Sequence, residues 1–175
     1  MLALLDGGPL LPDETRETLM RDTNDVLARY AVREDGLANW THPVGQELDP
    51  KKGHARVQWC AGAPGVVIST ASYLDEDLLL AGAELTWRAG PFGREKGVGI
   101  CHGTAGNGYA LLKTFERTGD ELWLDRARRF AMHALEQLER IEPRYSLFTG
   151  GVGAALLAAD CIDARARYPV LGTWE

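Results

Sequence analysis

Gly99-Ile100-Cys101-His102-Gly103-Thr104-Ala105-Gly106-Asn107 is the stretch that organises the rest of the chain. A metal-ligating pair, Cys101 and His102, stands directly before a Gly-x-x-Gly, Gly103 and Gly106, and an apolar run from Tyr109 to Phe115 follows. The same order recurs twice. Upstream it is Cys60-Ala61-Gly62-Ala63-Pro64-Gly65, followed by an apolar run from Val66 to Leu74. Downstream it is Phe148-Thr149-Gly150-Gly151-Val152-Gly153, followed by Ala154 to Ile162. Cys60, Cys101 and Phe148 start the three segments, 41 and then 47 positions apart. Self-similarity at such a period marks stacked supersecondary units.

The runs after each glycine pair carry almost no charge until their ends, which predicts inner helices buried on nearly all sides. Charge-rich amphipathic segments alternate with them: Asp13 to Tyr30, Asp75 to Trp87, and Asp120 to Ile141 with Gly119-Asp120 as its stop and cap. The order outer–inner, three times over, predicts three αα-hairpins in an all-α partial α/α toroid. Period-two alternation never persists, so strands are not expected. An irregular helical bundle is the plainer alternative. The glycines permit close backbone approach. They also gather helix N-termini whose N–H groups would suit anions, and packing alone is the competing explanation.

The chain has 175 residues, a single-domain length, with a net charge of −6 and three cysteines. No basic stripe suits nucleic acid, and no apolar run suits a membrane span. The odd cysteine count, without framework spacing, fits a reducing, cytoplasmic setting. The first residues lack the basic start of a secretory signal. They give no obvious opening element either, so the chain reads as the later part of something longer.

Equivalent positions of adjacent hairpins are spatial neighbours, so Cys60, Cys101 and His102 should converge. Two thiolates, an imidazole and an open fourth position suit catalytic zinc. Zinc would activate a thiol or, alternatively, a water. The plainer reading makes the cysteines small buried hydrophobes and His102 a hydrogen-bonded core residue. Cys161, late in the third inner helix, reads as core, and His133 as solvated. Asn107 either orients the Cys101–His102 loop or caps a helix. Leu37 to Trp40 reads as a loop, with Trp40 lining a pocket or anchoring that loop.

These motifs, with Trp59 before Cys60, Ser146-Leu147-Phe148 before the third glycine pair, and the ending Ala166-Arg167-Tyr168-Pro169, resemble the lanthionine synthetase C-like family over about residues 36 to 170. The ending is similar to the Ala-Arg-Phe-Pro close of the eukaryotic-type members. The resemblance implies a ring of seven hairpins, of which about three are present, around a zinc site held by Cys60, Cys101 and His102. It implies addition of a thiol to a dehydroamino acid, forming a peptide thioether ring or a glutathione adduct. It also implies a single domain, residues 1–175, forming the C-terminal part of a longer toroid.

Two departures from the family pattern bear on activity. Ala61 stands where Tyr or His usually follows the zinc cysteine, and the family's upstream His and Asp motifs have no counterpart. Neither His42 nor His54 precedes a Gly-x-x-Gly. The resemblance also implies substrate contacts for Lys96, with a solvated loop lysine as the alternative. Arg144 could act similarly before the third glycine pair, and Asn107 is a further candidate substrate contact. The chain is then a fragment, a half that a partner chain or self-association completes, or a remnant without catalysis. Its open ends would expose apolar surface and favour association. The expected function is zinc-dependent thiol addition to a dehydroamino-acid peptide or with glutathione. A non-catalytic zinc- and peptide- or glutathione-binding module is the alternative. An α/α-toroid carbohydrate hydrolase ranks below both, since no carboxylate pair sits at the glycine segments.

Overall fold

The computed structural model describes residues 10–40, 56–91, 97–142 and 144–169. Lys96, His42 and His54 lie outside the described residues. Helix α1 spans Asp13–Tyr30 and is followed by strands β1 (Val32–Glu34) and β2 (Leu37–Asn39). The remaining helices are α2 (Ala63–Thr70), α3 (Glu76–Ala89), α4 (Thr104–Thr118), α5 (Glu121–Leu138) and α6 (Gly151–Asp163). Thus the protein is mostly helical, with inner and outer helices alternating as the repeat predicts. The inner helices α2, α4 and α6 stand side by side. Outer helix α3 packs on α2 and α4, and outer helix α5 on α4 and α6.

The short β-hairpin corrects the expectation of a loop from Leu37 to Trp40. Val32 pairs with Asn39 and Glu34 with Leu37 in antiparallel register. Between them Asp35 and Gly36 both take positive φ, 50° and 76°. Asp-Gly is the favoured pair for such a tight turn. Arms of three residues are too short for period-two alternation to stand out, so the turn was the readable signal.

Local sequence sets the helix ends. Asp75 and Asp120 cap α3 and α5, accepting hydrogen bonds from the N–H groups of Leu78 and Leu122. Gly119 ends α4 in the left-handed conformation. Helix α2 stops at Thr70, four residues before Leu74, because the chain turns there to reach the Asp75 cap. The Tyr73 and Leu74 N–H groups both donate to the Thr70 carbonyl.

Burial follows position in the stack. Ten of the fifteen residues of α4 are buried, since it has neighbours on every side. Helix α6 departs from the expectation of all-round burial. Val152, Leu156 and Ile162 are exposed, because no further inner helix stands beyond it among the described residues. Helix α1 has no fully buried residue; Leu27 and Ala28 pack partly on the core, and two polar ties help to hold it. Its Leu27 carbonyl accepts from Trp40 Nε1, and its Asn24 side chain accepts from the Asp75 N–H. The outer layer is joined by Arg126, which pairs with Glu84 at 2.7 Å and lies over the rings of Trp87 and Trp123 at 5.0 and 4.6 Å. Cys161 is buried, as expected. His133 differs from its expected solvation: it is half-buried, with Nε2 sealed and unpartnered among the described residues.

Candidate metal centre

One backbone device, used three times, builds the centre. A Cβ on the second glycine of each pair would strike the carbonyl group six residues earlier. Gly65 lies against Trp59, Gly106 against Ile100, and Gly153 against Leu147. Those three residues immediately precede Cys60, Cys101 and Phe148. The glycines therefore let each ligand-bearing loop lie directly on the first turn of its own inner helix. The first glycines are crowded in a similar way, Gly62 against Arg56, Gly150 against Arg144, and Gly103 against Gly99 and then Gly97.

This close approach uses up the helix N-terminal donors. At α4 the N–H groups of Thr104, Ala105 and Gly106 donate to the carbonyls of Gly97, Val98 and Gly99. The expectation that these groups would face an anion is thereby corrected, because the loop's own carbonyls occupy them. At α2 the Ala63 N–H donates to Asn39 Oδ1 at 2.7 Å, so the β-hairpin caps the helix from outside.

The three loops are stitched in sequence. The Cys60 N–H donates to the Cys101 carbonyl at 3.1 Å, and the Cys101 N–H donates to the Phe148 carbonyl at 3.0 Å. Equivalent repeat positions are thus neighbours. The Sγ atoms of Cys60 and Cys101 and a ring nitrogen of His102 all lie within 4.8 Å of one another. Cys60 and His102 are exposed, and Cys101 is half-buried. On a tetrahedral zinc such atoms sit roughly 3.5–3.8 Å apart, given zinc–sulfur and zinc–nitrogen bonds near 2.3 and 2.0 Å. A slight closing of the group would meet that geometry. Its donor set, two thiols and an imidazole, suits zinc rather than a hard cation. Burial, then the hydrogen bond and charge of Cys60, push the Cys101 thiol above its ordinary range. Two neighbouring thiols resist ionising together, which a cation between them would reverse.

The other candidates separate. Ala61 lines a cavity of about 330 Å³ beside Cys60, with Trp40, Trp59, Val66 and Leu27. Trp40 both lines that cavity and anchors its loop. Asn107 is buried at 1% exposure and does not serve its own loop. Its Nδ2 donates to the Val57 carbonyl at 3.1 Å, tying α4 to the segment leading into Cys60. Arg144 is exposed and lines a different, apolar pocket of about 360 Å³ with Leu138, Tyr145 and Val152.

Several contributors went unread in the sequence. Gln58 donates from Nε2 to Cys60 Sγ at 3.0 Å. Asp160, 4% exposed, accepts from the Tyr109 hydroxyl and from the backbone N–H and Nε of Arg167. Arg167 also pairs with Asp163. These bonds fasten the Ala166-Arg167-Tyr168-Pro169 ending across α4 and α6. Tyr168 is thereby wedged against Trp59, ring centres 5.7 Å apart, and edge-on to Tyr109 at 5.2 Å. The four-residue ending was visible as a motif, but its partner Asp160 gave no separate signal.

Among the described residues no helix is long and apolar enough to cross a membrane. A model of the lanthionine synthetase C-like protein family matches residues 1–171. The glutathione S-transferase LANCL1 of Danio rerio is 36% identical, over 69% of this chain and 33% of the relative. The LanC-like protein GCL1 of Arabidopsis thaliana is 32% identical, over 65% of this chain and 29% of the relative. The chain spans about a third of the length of these curated relatives.

Proposed function

The chain belongs to the lanthionine synthetase C-like family, and on that premise we propose that it binds one zinc ion through Cys60, Cys101 and His102 and uses it to activate a thiol for addition to a dehydroamino acid. The observation that carries this reading is the convergence of the three ligand atoms within 4.8 Å. The name of the zebrafish relative, a glutathione S-transferase, supports glutathione as the thiol. A dehydroamino-acid peptide is the acceptor by family resemblance.

Cys60, Cys101 and His102 would hold the zinc, which would supply Lewis-acid activation of a thiol near neutral pH. The chain's own residues then have distinct tasks. Cys60 and Cys101 supply negative charge, and Gln58 Nε2 tempers the charge on Cys60 by hydrogen bonding. The cavity lined by Trp40, Trp59 and Val66 beside Cys60 offers an apolar wall for the acceptor. In the addition a carbon–sulfur bond forms at the β-carbon, the carbon–carbon double bond opens, and the α-carbon takes a proton. Ala61, with only a methyl group beside Cys60, does not supply that proton.

Ala61 also favours a second reading, a zinc- and glutathione-binding module without turnover. The exposed apolar surface of α6, at Val152, Leu156 and Ile162, supports completion of the ring by further hairpins from a partner or a second copy. Incubating the zinc-loaded chain with glutathione and a dehydroalanine peptide separates the two functions. A glutathione adduct in the mass spectrum, lost in Cys101→Ala, supports catalysis. Bound zinc with no adduct above the uncatalysed rate overturns it and leaves the binding module.

A further inference from the structure

Cys60 is an exposed member of the metal centre, and it also lines the cavity of about 330 Å³ with Trp40, Trp59 and Val66. An acceptor resting in that cavity meets two sulfurs, that of the incoming thiol and that of Cys60. Addition of the Cys60 sulfur to the acceptor's β-carbon would form a carbon–sulfur bond, open the double bond and leave the α-carbon to take a proton from water. The ligand would be consumed by the substrate. One side-chain donor stands against this sulfur. Gln58 is half-buried, and its Nε2 donates to Cys60 Sγ at 3.0 Å. The backbone holds that amide in place. The Gln58 N–H donates to the Ala61 carbonyl and the Ala61 N–H donates back to the Gln58 carbonyl, both at 3.1 Å, with Trp59 and Cys60 at the tip of the turn. The Cys60 N–H is in turn fixed on the Cys101 carbonyl. Donor and sulfur therefore belong to one pinned four-residue loop.

The second repeat is built differently at the matching place. Two positions before Cys101 stands Gly99, which has no side chain, and a Cβ there would strike the Phe148 carbonyl. No donor can be offered to Cys101 from that position, and Cys101 is the half-buried thiol of the pair. The amide thus accompanies the cysteine that an acceptor can reach. An N–H held on a thiolate makes a strong, charge-assisted hydrogen bond and draws electron density from the sulfur while leaving it free to ligate. Partners beyond the ligands of metal sites commonly tune them in this way. We infer that Gln58 is a positioning residue that keeps Cys60 a spectator ligand. Its amide occupies a lone pair of the sulfur, so that the incoming thiol rather than Cys60 adds to the acceptor. This inference rests on the metal-centre reading above.

The test compares the full chain with Gln58→Met, which keeps the length of the side chain and removes the donor. Each protein, held at saturating zinc, is treated with a dehydroalanine peptide in the absence of glutathione, and adducts are located by peptide mapping. Cys60 should be modified about tenfold faster in the variant, the weight of one hydrogen bond to an ionised group, while the rate at Cys101 stays unchanged. With cobalt(II) as the probe, the thiolate-to-metal charge-transfer band should move to lower energy, because the sulfur loses a hydrogen bond. The d–d bands, which report ligand geometry, should stay where they are. Equal modification of Cys60 and an unmoved charge-transfer band in a folded, metal-loaded variant would overturn the role of Gln58 alone. A wild-type chain that takes up no zinc would overturn the metal-centre reading and this inference with it. Should the variant fail to fold, nitrogen-15 labelling of Gln46, Gln58 and Gln137 reads the same bond in the wild type. One side-chain amide proton must shift downfield on zinc loading, and stationary glutamine amides would overturn the inference.

Discussion

Replacing Gly106 by alanine tests the device on which the centre is built. Gly106 sits in the first turn of α4 without a positive φ. By intrinsic propensity alone, alanine there should stabilise the helix by about 1 kcal/mol. The structure opposes this. The added Cβ would lie 2.9 Å from the carbonyl carbon of Ile100 and closer still to its oxygen. That carbonyl belongs to a fully buried residue one position before Cys101. Relief requires the loop to lift by about an ångström, a shift that overpacked sites usually resist at about 1–3 kcal/mol. The lift would strain the Cys101–Phe148 and Cys60–Cys101 backbone hydrogen bonds, each contributing about 1 kcal/mol. Set against the helix gain, the net is a loss of about 1–3 kcal/mol, or roughly 3–10 °C in melting temperature for a chain of this length. Gly82→Ala is the comparison. Its nearest neighbours are side-chain atoms, Val67 Cγ2 at 3.1 Å and the Trp40 ring at 3.2 Å. A few tenths of an ångström of adjustment there should leave stability within about 1 kcal/mol. Circular dichroism melts give both values, and chelator competition gives zinc affinity. Gly106→Ala melting at or above wild type, with zinc affinity intact, would refute the reasoning.

Three further outcomes follow from the structure. With iodoacetamide, the metal-free protein should lose Cys60 first, then half-buried Cys101, while Cys161 stays protected, its thiol pushed up to about 12 by burial. Zinc should shield Cys60 and Cys101, and peptide mapping that finds no shielding contradicts the ligand assignment. Stability of the metal-free form should fall at alkaline pH. Burial foremost raises the Cys101, Cys161, Tyr109 and Tyr168 groups and takes Tyr73 to about 12. The unfolded chain therefore loses protons that the folded chain keeps. Their contribution is full below the ordinary cysteine value near 8.5 and declines as pH rises through the cysteine and tyrosine range; denaturant midpoints that stay flat from pH 8 to 11 would contradict this. Finally, Asp160→Ala strips the partner from the buried Tyr109 hydroxyl and from the Arg167 N–H. A loss of about 2–3 kcal/mol in urea melts is expected, whereas Arg167→Ala, removing an ion pair whose arginine is more than half exposed, should lose much less.

Much of the architecture is legible because burial and repetition leave direct traces. The uncharged runs after the glycine pairs mark α2, α4 and α6, and Asp75 and Asp120 mark where α3 and α5 begin. Cys60 and Cys101 stand out because they hold one position in successive repeats, so a rule about neighbouring hairpins suffices to bring them together. Chemistry that depends on long-range side-chain partners is less visible. Asp160 looks like any helical aspartate until Arg167 folds back onto it. Asn107 looks like a cap until its amide is seen on Val57. Gln58 shows nothing in sequence of its bond to the Cys60 sulfur. The hairpin at Val32–Asn39 was readable, but only from Asp35-Gly36, since its strands are three residues each.

Two sulfurs and one imidazole sharing a single zinc is the claim most directly open to measurement. X-ray absorption at the zinc edge, on protein loaded with one equivalent of zinc and washed, reads the ligand set. The account predicts a shell of two sulfurs and one imidazole nitrogen with a light fourth ligand, reduced to one sulfur in Cys60→Ser. A shell without sulfur, or one unchanged in Cys60→Ser and Cys101→Ser, would contradict it.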